Sequence, residues 1–216
     1  MKSAFTHWKH VFKLDPAKPI DDSSLQRIAA SGTDALMIGG SDGITLQNTY
    51  QLLTRVRQFD LPLILEVSDE DAVVPGFDQF FIPIVLNTND VQWMIGKHQQ
   101  VVRKVEFPLP WEQLTAEAYL ILNPDCTAAQ LTQANTALSI EDVRAYAQLA
   151  EHFYRFPIFY IEYSGSFGDL ELVQAAKDEL NRTQLFYGGG IDSYDKAVLA
   201  AQSADTIVVG NVIYEQ

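Results

Sequence analysis

Cysteine is almost absent from this sequence. Cys126 is the only cysteine among 216 residues, and one thiol cannot form an internal disulfide. The first fifteen residues, MKSAFTHWKHVFKLD, also lack the uninterrupted apolar segment of a secretory signal. Both absences favour a cytoplasmic protein. Cys126 has no partner motif for nucleophilic catalysis, so we interpret it as a small buried thiol.

Positive charge and long apolar segments are also scarce. The chain has 15 Lys and Arg residues against 28 Asp and Glu, which gives a formal net charge of −13. This charge opposes attraction to nucleic acids and to anionic lipid headgroups. No apolar run approaches the ~18 to 20 residues needed to cross a bilayer. We therefore expect no nucleic-acid partner and at most peripheral contact with a membrane.

Hydrophobic residues are plentiful in spite of these absences. They make up 47% of the chain, which is enough to bury a large core. No linker or low-complexity segment divides the sequence, so we predict one domain over residues 1–216. The four histidines do not have the spacing of a metal site.

Short runs of β-branched and aromatic residues recur along the chain, and each is followed by a segment of helical spacing. The predicted strands are HVFKL (10–14), ALMIG (35–39), LILEV (63–67), FFIPIVL (80–86), YLILN (119–123), IFYIEY (158–163), LFYG (185–188) and TIVVG (206–210). The predicted helices include 22–30, 45–59, 90–105, 140–153, 169–180 and 193–201. Such alternation requires parallel strands that are covered on both faces.

Eight units of this kind predict an α/β fold, a closed (β/α)8 TIM barrel. A doubly wound open sheet is the alternative, but the segment KLDP (13–16) after the first strand is not a dinucleotide fingerprint. The third crossover, DEDAVVPGFDQ (69–79), is too short and too rich in Pro and Gly for a normal helix, so we expect it to be irregular. The sequence ends six residues after the last predicted strand, so we expect the final helix to be absent.

A glycine triplet marks the end of the seventh strand, and a Gly-Asn pair marks the end of the eighth. Glycine lets main-chain N–H groups approach a ligand without an intervening side chain. The loops after strands seven and eight of such barrels often bind phosphate. We predict a phosphate site at Gly188, Gly189, Gly190, Gly210 and Asn211. The alternative is that these glycines only permit tight turns.

Oxygen ligands follow the first two strands. Ser41 and Asp42 lie in IGGSDGIT, where a hydroxyl and a carboxylate beside glycines can bind a hard divalent cation. Capping of the next helix is the alternative for this pair. In KLDP, Lys13 and Asp15 project to the same side of strand one. Either the two side chains form a simple ion pair, or Lys13 binds a phosphate while Asp15 binds Mg²⁺.

A carboxylate in the sixth strand is the candidate general base. In FPIFYIEYSGSFGD, Tyr160, Glu162 and Ser164 share one face, and Gly165 begins the loop. A barrel interior seldom holds a carboxylate without a partner or a task, so Glu162 is either the catalytic base or a structurally paired acid. Glu66 in strand three is equally ambiguous, and it ranks lower because no glycine or hydroxyl cluster accompanies it.

Several of these segments together resemble a known family. The motifs are WKHVFKLDP, SGTDALMIGGSDGIT, PGFDQFFIPIVLNT, FPIFYIEYSG, LFYGGGI and ADTIVVGNVIYE. They are similar to those of the bacterial PcrB proteins, heptaprenylglyceryl phosphate synthases related to archaeal geranylgeranylglyceryl phosphate synthases. The resemblance extends from about Trp8 to Glu215. It implies a barrel with an irregular third crossover and a homodimer.

The resemblance also implies a reaction, the Mg²⁺-dependent transfer of a long prenyl group, heptaprenyl in this family, from its diphosphate to the 3-hydroxyl of sn-glycerol 1-phosphate. By position in the family motifs, it implies that Asp15 and Ser41 bind Mg²⁺ and that Lys13 contacts glycerol phosphate. The remaining residues that would surround glycerol phosphate are Tyr160, Glu162, Tyr163, Ser164, Gly165, Gly190, Gly210 and Asn211.

Two other functions are compatible with the residues alone. Another phosphate-binding barrel enzyme, such as a sugar-phosphate isomerase, would keep the glycines and would need an acid and a base, for which Asp15 and Asp125 are candidates. Such an enzyme would not require Mg²⁺. A non-catalytic barrel that binds a phosphorylated metabolite would not need Glu162.

Overall fold

The computed structural model describes residues 4–68, 72–104 and 109–214. Eight parallel strands form a closed barrel, in which each strand pairs with the next and the first pairs with the last. They are β1 (His10–Leu14), β2 (Ala35–Ile38), β3 (Leu63–Glu66), β4 (Gln79–Val85), β5 (Leu114–Ile121), β6 (Ile158–Glu162), β7 (Gln184–Gly188) and β8 (Thr206–Val209). The predicted (β/α)8 barrel is confirmed.

Helices cover the outer face of the barrel. They are α1 (Asp22–Ala29), α2 (Leu46–Val56), α3 (Gly96–Lys104), α4 (Thr127–Thr132), α5 (Ile140–Gln148), α6 (Leu170–Glu179) and α7 (Tyr194–Ser203). A π-helical turn, Leu149–Tyr154, extends α5. Reciprocal capping boxes, Thr45 with Asn48 and Ser139 with Asp142, fix where α2 and α5 begin. Helix capping is thus observed at Thr45, and neither Ser41 nor Asp42 is the N-cap of α2.

The irregular crossover lies between β3 and β4, where the sequence predicts it. Between β3 and β4, the described residues 72–78 contain no α-helix, and residues 69–71 of the predicted irregular segment lie outside the described ranges. Among the described residues after β8, the chain forms a short 3-10 helix, Asn211–Tyr214.

Two predicted elements differ most from the observed ones. β5 begins at Leu114, five residues before the predicted start at Tyr119. Glu117 interrupts the apolar run there, although it is itself buried. The helix predicted over 90–105 is a 3-10 turn, Val91–Trp93, followed by α3, and residue 105 lies outside the described ranges.

Aromatic rings close one end of the barrel. The 3-10 helix Ala4–His7 places Phe5 against Trp8, Phe81 and Phe186, with ring centroids 6.2, 5.7 and 6.5 Å away. These edge-to-face contacts are a favourable aromatic geometry, and Phe5 is 1% exposed. Access to the interior is therefore left to the opposite end, the mouth, which is formed by the carboxyl ends of the strands.

The last strand is well covered by the elements around it. Ile207 and Val209 are buried in one apolar cluster with Ala200 of α7, and Val212 of the final 3-10 helix packs against that cluster. Within the described part of the chain, no helix is long and apolar enough to cross a membrane.

A buried carboxylate anchors the start of β7. Glu151, 2% exposed, accepts hydrogen bonds from the main-chain N–H groups of Arg182 and Thr183 at 3.2 and 3.0 Å, and from Arg182 Nε at 2.8 Å. Burial raises the pKa of Glu151, but these hydrogen bonds outweigh burial and lower the pKa to about 2. The strand that ends in the glycine triplet is thereby tied to the helix layer at its beginning.

We predict that Glu151→Gln lowers the free energy of unfolding at pH 7 by about 1.5–3 kcal/mol, because hydrogen bonds to a charged acceptor are replaced by weaker ones. Because the folded-state pKa of Glu151 is depressed, its contribution is present above pH 4.5 and is lost as the pH falls towards about 2. Urea unfolding at several pH values measures this, with exposed Glu112→Gln as the control. Equal stability of the two variants would contradict the anchor.

Candidate active site

Three charged side chains meet inside the barrel. Lys13 of β1 extends between Glu66, the last residue of β3, and Glu162, the last residue of β6. Lys13 Nζ lies 2.5 Å from Glu66 Oε2 and 3.9 Å from Glu162 Oε2. Both carboxylates are buried. The direct partner of Lys13 is therefore Glu66, the acid that sequence reasoning ranked lower, and not Asp15.

Burial and mutual charge control the ionisation of this cluster. Burial lowers the pKa of Lys13, but the charges of Glu66 and Glu162 outweigh it, so the pKa is raised overall. Burial raises the pKa of Glu162, while Lys13 and a hydrogen bond from Tyr119 oppose this shift. Lys13 thus remains cationic, and Glu162 is a stronger base than an exposed carboxylate.

Two stacked tyrosines adjoin Glu162. Tyr119 Oη donates a hydrogen bond to Glu162 Oε2 at 2.8 Å, and the Tyr119 ring stacks on Tyr160 with centroids 4.7 Å apart. Tyr160 is fully buried, and its hydroxyl has no hydrogen-bond partner among the described residues. A Cβ on Gly188 would lie 2.2 Å from that hydroxyl. Gly188 therefore leaves the space that Tyr160 occupies. Tyr119 was not predicted.

Glu117 of β5 is a second buried group that sequence reasoning missed. It is 0% exposed, and neither carboxyl oxygen has a hydrogen-bond partner within the described ranges. Burial raises the pKa of Glu117 well above its usual value, and the charge of Glu66 raises it further, whereas Lys13 opposes the shift. The alternation of Glu117 with Tyr119 along β5 is the sequence signal that places it on the inner face.

The glycine triplet packs against the loop that follows β6. Gly189 and Gly190 have φ angles of +154° and +53°. A Cβ on Gly190 would lie 2.2 Å from Phe167 N, and one on Gly189 would lie 2.4 Å from Tyr163 Cβ. Only glycine fits at these two positions. The ends of β6 and β7 consequently touch and form one continuous edge of the mouth.

The loop after β6 is held beside Glu162 by polar contacts. Asn123 Nδ2 donates to Ser164 O at 2.6 Å, and the main chain at Ser164 helps to lower the pKa of Glu162. Gly165 has a φ of +87° and is exposed. Tyr163, 8% exposed, packs below this turn near Gly189. The predicted YIEYSG residues therefore lie together at the mouth, except that Tyr160 lies deeper.

The end of β8 is tied to the loop after β1. Lys18 Nζ donates to Asn211 Oδ1 at 2.9 Å, and Asp15 N–H donates to Tyr214 Oη at 2.6 Å. Around Gly210, the nearest atom to an added Cβ is a main-chain oxygen of β1 at 3.8 Å, so the backbone there is uncrowded. Lys18 is a second cation beside the predicted phosphate site, and it was not predicted.

The residues proposed for Mg²⁺ lie at the ends of β1 and β2. Asp15 Oδ1 accepts the Ala17 N–H at 2.9 Å, and Ser41 is exposed. A Cβ on Gly40 would lie 2.9 Å from the Asp15 carboxylate, so this glycine keeps the space beside that carboxylate free. Carboxylate and hydroxyl oxygens suit Mg²⁺, which usually keeps several waters and uses substrate phosphates as ligands. The donor set fits, although the described ranges contain no cluster of three or more His, Cys, Asp or Glu side chains suited to a metal.

The fold and this site define an enzyme of the parallel-barrel class, with an acid-base cluster and glycine-lined strand ends at one mouth. A model described as the PcrB family matches residues 3–216, and the chain belongs to this family. The predicted family is therefore confirmed, and the names of the relatives that follow confirm its enzyme class, prenyltransferase.

Relatives in this family are similar over most of their length. Heptaprenylglyceryl phosphate synthase from Geobacillus kaustophilus is 52% identical over 208 residues, which cover 96% of this chain and 87% of that protein. The protein of the same name from Anoxybacillus flavithermus is 54% identical over 209 residues, 97% of this chain and 90% of that one.

A solved structure is similar in fold. It is (S)-3-O-geranylgeranylglyceryl phosphate synthase from Thermoplasma acidophilum in complex with its substrate sn-glycerol-1-phosphate. Its TM-score is 0.82 at 26% sequence identity, and the match covers 98% of this chain and 89% of that one.

We predict that Gly190→Ala costs roughly 3 kcal/mol or more of unfolding free energy and weakens binding of inorganic phosphate, because the new Cβ displaces the loop after β6. Gly32→Ala is the matched control, since Gly32 has a φ of +83° but nothing within 4 Å of its Cβ position. Gly32→Ala should lose only about 1–2 kcal/mol of unfolding free energy, the cost of placing an alanine in the left-handed backbone conformation. Urea unfolding and calorimetric titration with phosphate measure the difference, and equal effects of the two variants would refute the close packing.

Proposed function

We propose that this chain transfers a long prenyl group, heptaprenyl by the names of its relatives, from its diphosphate to the 3-hydroxyl of sn-glycerol 1-phosphate. The archaeal relative of similar fold binds this glycerol phosphate as its substrate, which supports the choice of acceptor. We assign the reaction to one barrel domain, residues 1–216, that uses Mg²⁺ and acts as a homodimer in the cytoplasm.

One observation carries this proposal. Glu162, a buried carboxylate with a raised pKa, lies 3.9 Å from the Lys13 ammonium and pairs in register with Gly188, the first residue of the glycine triplet at the mouth. A phosphorylated alcohol bound by that edge and by Lys13 has a hydroxyl within the same small volume as the Glu162 carboxylate. This is the arrangement that general-base activation of an alcohol requires.

Glu162 is the proposed base. The glycerol oxygen forms a bond with C1 of the prenyl chain, the bond between C1 and the diphosphate oxygen breaks, and the hydroxyl proton passes to Glu162. General-base catalysis typically contributes ~10²- to 10⁴-fold to the rate. The hydrogen bond from Tyr119 orients the carboxylate without removing its charge.

Lys13 and the main chain position the acceptor. We assign the phosphate to the Lys13 ammonium and to the main-chain N–H groups of Gly190 and Gly210, two half-buried residues that have no side chain of their own to cover those groups. Holding the hydroxyl in line with C1 converts an encounter of two mobile reactants into one oriented step. Lys18, bound to Asn211, adds positive charge at the same edge.

When bound at Asp15 and Ser41, Mg²⁺ would neutralise the charge that develops on the departing diphosphate. Lys13 lies in β1 and Asp15 directly follows that strand. The phosphate of the acceptor, bound by Lys13, and the diphosphate of the donor, bound through Mg²⁺ at Asp15, would therefore meet at one edge of the mouth. The water-excluding interior beneath strengthens these electrostatic contacts.

An apolar surface outside the barrel suits the prenyl chain. Val91, Ile95 and Val102, between β4 and β5, are 59%, 62% and 47% exposed. Ile95 and Val102 line an open cavity of 320 Å³ with His98, whose Nε2 lies 3.2 Å from Pro83 O on β4. A long hydrocarbon chain that leaves the mouth could bury these side chains.

The deciding experiment incubates the protein with sn-glycerol 1-phosphate, Mg²⁺ and labelled prenyl diphosphates of several chain lengths. We expect an organic-extractable phosphate-containing ether, and no product in EDTA. Failure with every donor in the presence of Mg²⁺ would refute the transferase. A sugar-phosphate isomerase would instead turn over its own substrate in EDTA.

We predict that Glu162→Gln lowers kcat by about 10²- to 10⁴-fold and leaves the calorimetric Kd for glycerol phosphate within a few-fold, because the base is lost while the phosphate contacts remain. Because the pKa of Glu162 is raised and the deprotonated form is active, the activity of the wild-type protein should fall on the acid side at a pH above 4.5. A non-catalytic binding barrel would show no loss in this variant.

We predict that Asp15→Asn lowers turnover to a similar extent and is restored poorly by raised Mg²⁺, because a neutral amide binds Mg²⁺ weakly. Asp42→Asn is the matched control, since it removes the same charge from the neighbouring loop and Asp42 Oδ1 already accepts its own loop's Gly43 N–H at 2.8 Å. Initial rates against Mg²⁺ concentration compare the two variants. Normal turnover by Asp15→Asn would disprove the metal assignment.

A further inference from the structure

Glu117 is the buried titratable group that the proposed reaction leaves without a role. Its carboxyl group is sealed from solvent and lacks any donor within the described ranges. A second buried carboxyl oxygen, Glu66 Oε1, is also without a partner there, although Glu66 Oε2 contacts Lys13 at 2.5 Å. An ionised carboxylate that is buried without any donor is strongly destabilising.

The strand register places these groups at one level of the barrel. Lys13 pairs with Met37 and Met37 with Ile64, two residues before Glu66. In the same way, Glu66 pairs with Phe81 and Phe81 with Thr115, two residues before Glu117. Because the strands are tilted, residues at the same height in such a barrel are shifted along the chain by about one position per strand relative to the pairing register. Inward side chains of alternate strands then share a layer. Lys13, Glu66 and Glu117 therefore belong to one layer, on β1, β3 and β5.

Glu162 lies nearer the mouth than this layer. Glu117 pairs with Ile158 on β6, whereas Glu162 pairs with Ile121, four residues further along β5. Glu117 is consequently too deep to contact a substrate that reaches Glu162. Any role that it has in the reaction must act through Glu66 and Lys13.

We propose that Glu117 is a neutral carboxylic acid that donates its proton in a hydrogen bond to Glu66 Oε1, and that it is a positioning residue for the transfer reaction. One shared proton gives Glu66 Oε1 a donor and removes the charge from Glu117. With both oxygens of Glu66 engaged, its carboxylate cannot turn, and Lys13 stays at Glu66 instead of moving the short distance to Glu162. Glu162 thereby remains free to accept the substrate proton.

The charged and titratable groups that face Glu117 agree with this assignment. They are Glu66 on β3, Lys13 on β1 and Glu162 on β6, and the hydroxyls of Tyr119 and Tyr160 lie in the same interior. An ionised Glu117 would give the interior three carboxylates against one ammonium. Keeping Glu117 neutral leaves two carboxylates for one cation, the smaller imbalance in a medium of low polarity.

The protonation state can be tested without any activity. The infrared difference spectrum between the wild-type protein and Glu117→Gln at neutral pH should contain the carbonyl stretch of a protonated carboxylic acid in the wild-type protein alone. A difference spectrum with only carboxylate bands would overturn the assignment. Urea unfolding of both proteins confirms that they are folded.

The positioning role rests on the proposed transfer reaction and is tested by pH profiles of kcat/KM. Glu117→Gln keeps a neutral hydrogen-bond donor, so its acid limb should coincide with that of the wild-type protein. Glu117→Met removes the donor, and we expect kcat/KM to fall by about 10- to 100-fold, as for the loss of a hydrogen bond to a charged group. Its acid limb should move to lower pH, because Lys13 then approaches Glu162 and lowers the pKa of that base.

Gln184→Met is the matched control. Gln184 is a buried inward residue at the start of β7 that bonds Thr206 Oγ1 and Trp8 O, so the variant also loses an interior polar group. It should lower stability without moving the acid limb. An acid limb unchanged in Glu117→Met, or shifted equally in Gln184→Met, would overturn the positioning role. If the wild-type protein transferred no prenyl group, the proposed function and the positioning role would both fail. The infrared band would still show whether Glu117 is protonated.

Discussion

The whole site depends on where one ammonium group lies between two buried carboxylates. Lys13 contacts Glu66 directly and Glu162 only at 3.9 Å. If this preference were reversed, the ammonium would lower the pKa of Glu162 and weaken it as the proposed base. A buried ion pair contributes little net stability after its desolvation cost, so the value of this one is better understood as control over ionisation than as a source of folding energy.

The barrel supplies what that control requires, a closed interior with one open end. Phe5 and the rings around it close the amino-terminal end, and at the opposite end the glycines after β7 pack tightly against the loop after β6. Within such an interior, each charge acts strongly on its neighbours because water does not screen it. The same closure explains why neutralising one acid, Glu117, is a consistent arrangement for the layer as a whole.

Much of this arrangement could be predicted from the sequence, because the fold is governed by local periodicity and the site by rules that apply to all such barrels. The alternation of apolar runs and helical spacing gave eight strands, and the ends of strands one, two, six, seven and eight held the residues that lie at the mouth. Glu66 and Glu117 were underestimated because their importance comes from long-range contacts. Register across three strands decides that Lys13 meets Glu66 and not Asp15, and no local pattern contains that information.

The boundary of β5 illustrates the same limit. A glutamate and alanines at its start do not favour a strand by propensity, yet pairing with β4 over six residues extends it to Leu114. Lys18 and Tyr214 were likewise missed, since their partners lie 193 and 199 residues away along the chain. Family membership adds what periodicity cannot provide, namely the kind of substrate.

The contact between Tyr214 and Asp15 has a consequence for the synthesis of the protein. The proposed metal ligand follows the first strand, but its main-chain N–H is bound by a hydroxyl 199 residues later, and β1 also needs β8 as its neighbour. A nascent chain still attached to the ribosome would therefore hold an open sheet with an incomplete site until its last strand emerges. The site should therefore form only after β8 has emerged, and the sheet edges that are unpaired before then are the surfaces that most need a chaperone.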